Sequence, residues 1–372
     1  MKNLMHRILA LWNSETTSFK WCIVTVSVSL GVVLGAALLV FTVDPHYRYR
    51  KPFFYDTVYN NIYATAPHIL EREEYDLLML GTSMTRNFFL SDIDAAFDCK
   101  SVKLAASGGT AEDLCKFMEV ALQAKKGNLK RIIFSLDIYP LNKTKAYYLE
   151  FDYMYRKNYT EDYRYLFSRQ AFSSMIYLVK RKLRPKRQRA HQTDRNRMFA
   201  TEYKGKKYGL EEVIDDARHN AAIHHTQTPY NVRAFQKNFY GRMLKIFDSN
   251  PQVKFVIYLP PYHIYTWCQS EQFKEADALI RQRTQVMLEL IKRPNVTLHD
   301  FQADSRFVEN HAWFSDVQHF SNVAACELLK ELKLPRRHIT TPADVAANEK
   351  ELRLLIKKNM KPYFEHLKGS GR

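Results

Sequence analysis

Glycine and cysteine are scarce in this chain, and acidic residues are in the minority. Only 11 of the 372 residues are glycine, and no glycine-rich phosphate loop occurs among them. Five cysteines (Cys22, Cys99, Cys115, Cys268 and Cys326) stand singly, with neither CxxC nor zinc-ligand spacing. That excludes a disulfide scaffold, and buried thiols are a simpler reading than a Cys99–Cys115 bridge. No cofactor and no metal are expected. The chain has no internal repeat or low-complexity run, and an apolar fraction of 46% excludes wholesale disorder.

Long apolar runs are missing too, with one exception. Trp21 to Val43 (WCIVTVSVSLGVVLGAALLVFTV) is 23 residues without a charge between Lys20 and Asp44. At 1.5 Å per residue, a helix of that length crosses a hydrocarbon core of about 30 Å. A cleaved signal peptide has a shorter apolar core of about 7–15 residues before a small-residue cleavage site. This run is longer and ends in Thr-Val-Asp-Pro. It predicts an uncleaved transmembrane anchor over 21–43, preceded by a short segment over 1–20 and followed by one large soluble part. Flanking charges do not fix the orientation, because Lys2, Arg7 and Lys20 precede the run and Arg48, Arg50 and Lys51 follow it.

The shortage of acid is local. Lys and Arg number 56 against 39 Asp and Glu, for a net +17, and residues 141–230 hold +9 of it and 336–372 another +5. Lys180 to Arg189 (KRKLRPKRQR) has seven basic residues in ten. Such patches meet anionic partners: nucleic acid, a lipid surface or an acidic polymer. Beside an anchor, anionic lipid or polymer fits better, each basic residue at such a surface contributing about 1 kcal/mol. Nucleic-acid binding through 180–207 fits the charge but not the anchor, so no nucleic-acid partner is expected.

After a Tyr-, Pro- and Asn-rich juxtamembrane segment at 44–70, strands and helices alternate. Strands are predicted over 75–81, 101–106, 131–136, 253–259 and 295–300. Helices are predicted over 110–126, about 231–247, 271–292 and 323–333. Tyr75 to Gly81 is a short apolar run suited to a strand buried on both faces, and Thr110 with Asp113 forms a helix-capping pair. The alternation predicts an α/β fold over 71–336, with a doubly wound, flavodoxin-like parallel sheet of about five strands. A basic, Tyr-rich insertion interrupts it at about 141–228. Residues 337–372 read as an isolated basic amphipathic helix with Leu352, Leu355 and Ile356 on one side. Sites in such sheets lie at the carboxyl ends of strands. That directs attention to Gly81-Thr82-Ser83, Ser107-Gly108-Gly109, Asp137 and the segment after Asp300.

At Leu80-Gly81-Thr82-Ser83 an apolar strand runs into a hydroxyl pair, and a helix is expected to begin there. Ser83 would then sit at the sheet tip beside a helix N-terminus, with its own N–H able to face an oxyanion. Read alone, it is more simply an N-capping serine, as at many strand-to-helix turns. Ser315-Asp316-Val317-Gln318-His319-Phe320-Ser321, before the closing helix, supplies what a nucleophile needs. Asp316 and His319, three apart, bring a carboxylate to an imidazole, so that Nε2 takes the Ser83 proton while Nδ1 faces Asp316. His263, His299 and His311 are nearby alternatives.

Gly81-Thr82-Ser83 resembles the nucleophile block of the SGNH (GDSL-like) hydrolases, and Asp316-x-x-His319 resembles their C-terminal block. The order Ser…Asp…His agrees. The resemblance implies catalytic Ser83, His319 and Asp316, and an oxyanion hole from the N–H groups of Ser83 and Gly108 or Gly109, Gly108 being preferred. The family places Gly-x-Asn-Asp after the third strand, its Asn completing that hole, whereas this chain has Ser135-Leu136-Asp137-Ile138-Tyr139. An ionised Asp137 would repel an oxyanion, so it is a structural group, a substrate contact or, if protonated, a donor. With an anchor, the chain looks like the membrane-attached branch that includes the teichoic-acid D-alanylation protein and other partners of membrane-bound O-acyltransferases. The resemblance covers roughly 75–140 and 250–333. It implies a cell-membrane, single-pass acyltransferase or esterase with residues 1–20 in the cytoplasm and the catalytic domain outside, acting on esters of an anionic cell-surface polymer or glycan. A membrane-bound O-acyltransferase partner is implied with it.

Pro260-Pro261-Tyr262-His263 is either a rigid strand stop or part of the acceptor cleft, with Pro261 and His263 as the contacts. Residues 147–169 read as a solvated helix with core aromatics or as a surface that stacks on sugars. A rival from another class is a non-catalytic envelope scaffold of the same fold that binds polymer or a membrane acyltransferase, which the missing Asn and the basic insertion would suit.

Overall fold

The computed structural model describes residues 17–51, 61–183, 205–223, 230–335 and 338–368. Most of the basic cluster at 180–189, and residues up to 204, lie outside them. The helices are α1 (Thr17–Val43), α2 (Ile62–Arg72), α3 (Leu90–Phe97), α4 (Ala111–Ala124), α5 (Arg169–Lys182), α6 (Leu210–Ala222) and α7 (232–248, π-helical across Gln236–Met243). They continue with α8 (Ile264–Gln272), α9 (Ala276–Leu290), α10 (Asn322–Leu332) and α11 (Pro342–Lys368). The strands are β1 (Leu77–Gly81), β2 (Ser101–Ala105), β3 (Arg131–Ser135), β4 (Lys254–Leu259) and β5 (Val296–Asp300). Contacts divide the chain into two units, one holding 17–51 with 156–183 and the other the remaining described residues.

In the first unit, α1 carries a 25-residue stretch, Phe19–Val43, long and apolar enough to cross a membrane, and most of its side chains are exposed. The turn that follows is held by one buried carboxylate. Asp44 accepts from the N–H groups of Arg48, Tyr49 and Arg50 (2.8–2.9 Å) and from the Tyr165 hydroxyl (3.0 Å). The Arg50 guanidinium donates to the carbonyls of Phe41 and Thr42, satisfying acceptors that a helix end leaves open. Arg48 pairs with Asp162 at 3.0 Å.

In the second unit five parallel strands run in the order β2-β1-β3-β4-β5. Every residue of β1 and β2 is buried, as the apolar runs predict for strands covered on both faces. The chain runs from β1 out to β2 and returns past β1 to β3, so its winding reverses between β1 and β3. The carboxyl ends of these two strands flank the crevice where such sheets bind ligands. Gly81, which closes β1, is required by close approach: a Cβ there would lie 2.6 Å from both Ser135 Cβ and Thr85 Cγ2.

The predicted strands all form, each within two residues of its expected ends, and the Thr110–Asp113 capping box is present. Four expectations are corrected. No α-helix begins at Ser83: a three-residue 3₁₀ turn, Ser83–Thr85, gives way to extended chain before α3, because Phe88 and Phe89 are buried instead of continuing a helix. Part of the juxtamembrane segment is α2, which packs on α4 in the α/β unit. The 271–292 helix is two, broken at Lys274 with φ +58°, and its first part, α8, starts directly after the Pro260-Pro261 stop. The C-terminal helix is not isolated. Val345, Leu352, Leu355, Ile356 and Tyr363 of α11 are buried where it packs on α8 and α9. Asn348 accepts from the buried Arg283 guanidinium, which also pairs with Asp300. The 141–228 stretch is shared between the two units, with 156–183 in the first. The cysteines among the described residues are all free thiols.

Candidate active site

Two loops meet at the end of β1. The first is Thr82–Asn87. The second is 314–320, a narrow loop whose ends pair through a Phe314–Phe320 bridge and which is closed by Ser315 N–H donating to the His319 carbonyl at 3.0 Å. Asn87 Nδ2 donates to the Phe320 carbonyl at 2.5 Å, and Asn322 Nδ2 donates to the Asn87 carbonyl at 2.9 Å, lacing the loops together. Phe88 packs edge-on against Phe320 behind them, 5.9 Å between centroids.

This lacing brings His319 Nε2 to 2.8 Å from Ser83 Oγ, across 236 residues of sequence. His319 Nδ1 lies 2.9 and 3.0 Å from the two Asp316 oxygens. The carboxylate fixes the proton on Nδ1, which leaves Nε2 free to accept from the serine hydroxyl. Asp316 is itself held by the N–H groups of His319 (2.7 Å) and Gln318 (2.9 Å) and by Lys206 Nζ (3.1 Å). Burial works to raise its pKa, but the hydrogen bond and charge of His319 and the two backbone N–H groups outweigh it and hold the carboxyl well below the usual range. From α6, Asp216 accepts from Val317 N–H at 3.1 Å and steadies the loop from behind. Burial raises the Asp216 pKa despite that bond, and the nearby Asp316 charge adds to the rise.

The end where the resemblance would place an oxyanion hole is built differently from the SGNH pattern. Gly108, at φ +68°, turns the chain after β2. Gly109 does not fit the oxyanion role, because its N–H donates to the Ala106 carbonyl at 2.8 Å. Among the described residues the N–H groups of Ser83 and Gly108 carry no hydrogen bond. Asp137, where the family has Asn, is buried with both oxygens engaged: Thr82 Oγ1 donates to one at 2.6 Å and the Tyr262 hydroxyl to the other at 2.5 Å. Burial raises its pKa, only partly offset by those two hydroxyls and by the charges of His319 and Lys143. Asp137 therefore ties the nucleophile turn to the chain after β4. Lys143 Nζ bonds the Gly108 carbonyl at 2.7 Å, and its pKa is lowered by burial against the pull of Asp137.

Thr82, Ser83, Gly108, Gly109, Asp137, Tyr139, Lys143, Tyr262 and Gln318 are among the residues around a cavity of about 90 Å³. Pro261 and His263, expected at the acceptor cleft, are buried and do not line it. His263 Nδ1 accepts from Tyr265 N–H and caps α8, and its Nε2 therefore donates to His311 Nδ1 at 2.8 Å. Burial and the neighbouring His311 and His366 keep it neutral. Asp300, which precedes the last segment singled out at a strand end, pairs with Arg283.

Sequence reasoning missed Lys143, Asn87, Asn322, Lys206 and Asp216, and in the Pro260-Pro261-Tyr262-His263 stretch it put the contacts on Pro261 and His263, where Tyr262 is the residue at the cavity. Asn87 stands four residues after Ser83 and Asn322 directly follows Phe-Ser, so local adjacency marked those two. No local signal marked Lys143, Lys206 or Asp216, because only folding brings them to the site. Among the described residues no group of three or more His, Cys, Asp or Glu is placed to hold a metal ion. No protein-family model matches the chain, and no curated protein matches it significantly.

Proposed function

We propose that this chain is a membrane-anchored serine acyltransferase or esterase of the SGNH type, acting outside the cytoplasmic membrane on O-acyl or alanyl esters of an anionic cell-envelope polymer. The observation that carries the reading is the hydrogen-bonded line Ser83 Oγ–His319 Nε2, His319 Nδ1–Asp316, at the end of the first strand. The apolar α1 supplies the anchor, and the outward orientation follows the resemblance to the membrane-attached branch.

The chemistry is two acyl transfers. The Ser83 hydroxyl proton passes to His319 Nε2 as Oγ bonds to the ester carbonyl carbon. The resulting oxyanion faces the free N–H groups of Ser83 and Gly108, with the Lys143 ammonium supplying positive charge where the family uses an Asn amide. The carbonyl re-forms, the C–O bond to the leaving alcohol breaks, and that alcohol takes the proton from His319. An acceptor hydroxyl then gives its proton to His319, attacks the acyl-Ser83 carbonyl and releases Ser83, which recovers the proton. Water as acceptor makes the reaction a hydrolysis. A cavity of about 90 Å³ has room for an acetyl- or alanyl-sized group.

The test is Ser83→Ala and His319→Ala, each scored for envelope ester content and for labelling of the full chain by a fluorophosphonate. Loss of labelling with altered ester content is expected. Unchanged ester in both variants would sink the enzyme reading in favour of a scaffold that keeps the fold to bind polymer or a membrane acyltransferase.

A further inference from the structure

A second cavity, of about 640 Å³, opens beside the catalytic one and shares Lys143 with it. Its wall is Asn142 to Lys145 and Tyr147 on one side and Tyr230 to Arg233 on the other. Among the described residues three cations, Lys143, Lys145 and Arg233, line it and no acidic residue does. Among the described residues neither Lys145 nor Arg233 has a carboxylate within ion-pair distance. Its two tyrosines, Tyr147 and Tyr230, stay 43% and 37% exposed. Each is propped by a ring behind it, Tyr63 at 5.4 Å and Phe235 at 6.0 Å. The wall is held in place by Asn142, whose oxygen accepts from the Asn231 N–H at 3.2 Å and from Gln282 Nε2 at 3.0 Å.

A second basic hollow shows that this combination is not a general feature of the surface. Lys237, Arg242 and Lys245 line a cavity between α4 and α7, but Glu112 pairs with the first two at 3.2 and 2.8 Å, Glu119 stands in the wall and no aromatic ring does. There the charge is largely spent within the protein. In the Lys143 groove it is available to a ligand.

We propose that the groove between 142–147 and 230–233 is the acceptor subsite, and that it takes a saccharide chain bearing carboxylate or phosphate groups. Sugar rings lie against Tyr147 and Tyr230, and the anionic groups meet Lys145 and Arg233. A volume of about 640 Å³ falls within the range of ligand sites, about 300–1,000 Å³. Lys143, at the junction, then serves both cavities, so an acceptor hydroxyl entering from the groove reaches acyl-Ser83 past a positive charge. Its role as acceptor subsite rests on the acyl-transfer reading. Its capacity to bind does not.

Binding is measured on the full chain in detergent carrying Ser83→Ala, so that it does not depend on turnover. The probes are fluorescent oligogalacturonate (carboxylate), phosphorylated maltoheptaose (phosphate) and maltoheptaose (neutral). At least one anionic probe is expected to bind, more weakly at higher salt, and the neutral one to bind at least tenfold less tightly. Lys145→Ala with Arg233→Ala should weaken that binding about tenfold, Lys145→Glu with Arg233→Glu should abolish it, and Arg233→Lys should retain most of it. Lys245→Ala, in the other hollow, should leave it unchanged, and thermal unfolding checks that each variant is folded. Equal binding of maltoheptaose, or undiminished anionic binding in folded Lys145→Glu/Arg233→Glu protein, would overturn the proposal. Groove-dependent binding without fluorophosphonate labelling at Ser83 would keep the subsite and remove the acyl-transfer reading.

Discussion

The two sides of the crevice at the end of β1 are built on different terms. On the Ser83–His319–Asp316 side each polar atom has a specified partner: Ser83 Oγ, both His319 nitrogens and both Asp316 oxygens are all engaged. On the other side, the proposed oxyanion side, the Ser83 and Gly108 N–H groups carry no hydrogen bond among the described residues, a buried acid stands where the SGNH hydrolases that the sequence resembles have an amide, and a lysine leans across from a neighbouring loop. Proton transfer demands a line of atoms within hydrogen-bond reach, so it tolerates little substitution. Stabilising a negative charge asks only for positive potential at one point, which an amide, a backbone N–H or an ammonium can each provide. The first side is therefore recognisable from residue identity and the second is not.

The largest effect should come from breaking the relay. Ser83→Ala or His319→Ala should lower acyl-ester turnover by about a thousandfold or more, read as release of acetate from a small acetyl ester. Asp316→Asn should cost about a hundredfold or more, because the amide no longer holds the proton on Nδ1, and Lys206 cannot substitute for that role. The oxyanion side should yield less. Lys143→Ala is expected to lower turnover by about ten- to a hundredfold, with Lys143→Arg recovering part of it, and an unaltered rate would remove Lys143 from the scheme.

Asp137 separates structure from chemistry. Asp137→Ala leaves the buried Thr82 and Tyr262 hydroxyls without their acceptor and should destabilise the fold by about 1–3 kcal/mol in urea denaturation. Asp137→Asn restores the family residue and should keep turnover within about tenfold of the parent.

The smallest effect concerns support beneath the nucleophile loop. Lys103, fully buried in β2, donates to the carbonyls of Arg86 (2.9 Å) and Phe88 (2.5 Å), and burial lowers its pKa to about 7 despite Asp92 nearby. Below that pH both folded and unfolded chains carry the proton. Between it and the unfolded value of about 10.4, the unfolded chain holds the extra proton, so stability should rise with pH across that window. A urea midpoint that climbs from pH 6.5 to 9 in the parent should climb less in Lys103→Met. Asp316 works in the same sense at a lower pH. Its depressed pKa adds stability above an unfolded value of about 3.9, and that stability fades as acid protonates the folded carboxyl.

Much of this was legible before folding because it is local. A short apolar run ending in glycine suits a strand buried on both faces, so β1 followed from Leu77 to Gly81, whereas its register beside β3 came only with the fold. Asp316 and His319 are three apart, so a single narrow loop suffices to join them. Corrections fell where long-range packing overrode local pattern. Phe88 and Phe89 were drawn into the core and stopped a helix that a Gly-Thr-Ser turn would otherwise start. Leu352, Leu355 and Ile356 found a partner surface on α8 and α9, so a helix that looked free is part of the core.

What the sequence by itself determined is the parallel α/β architecture, the apolar span near the N-terminus and the Asp316–His319 pair, since periodicity and short spacings encode each of these. What only the tertiary structure decided is which side chains meet at the crevice. Lys143 and Tyr262 come from separate strand ends, Asp216 and Lys206 from residues far from either motif, and the groove from two segments more than 80 residues apart. Such contacts depend on the order in which strands pair and on where loops cross. That order is set by burying the whole core at once, so no local stretch of chain records it.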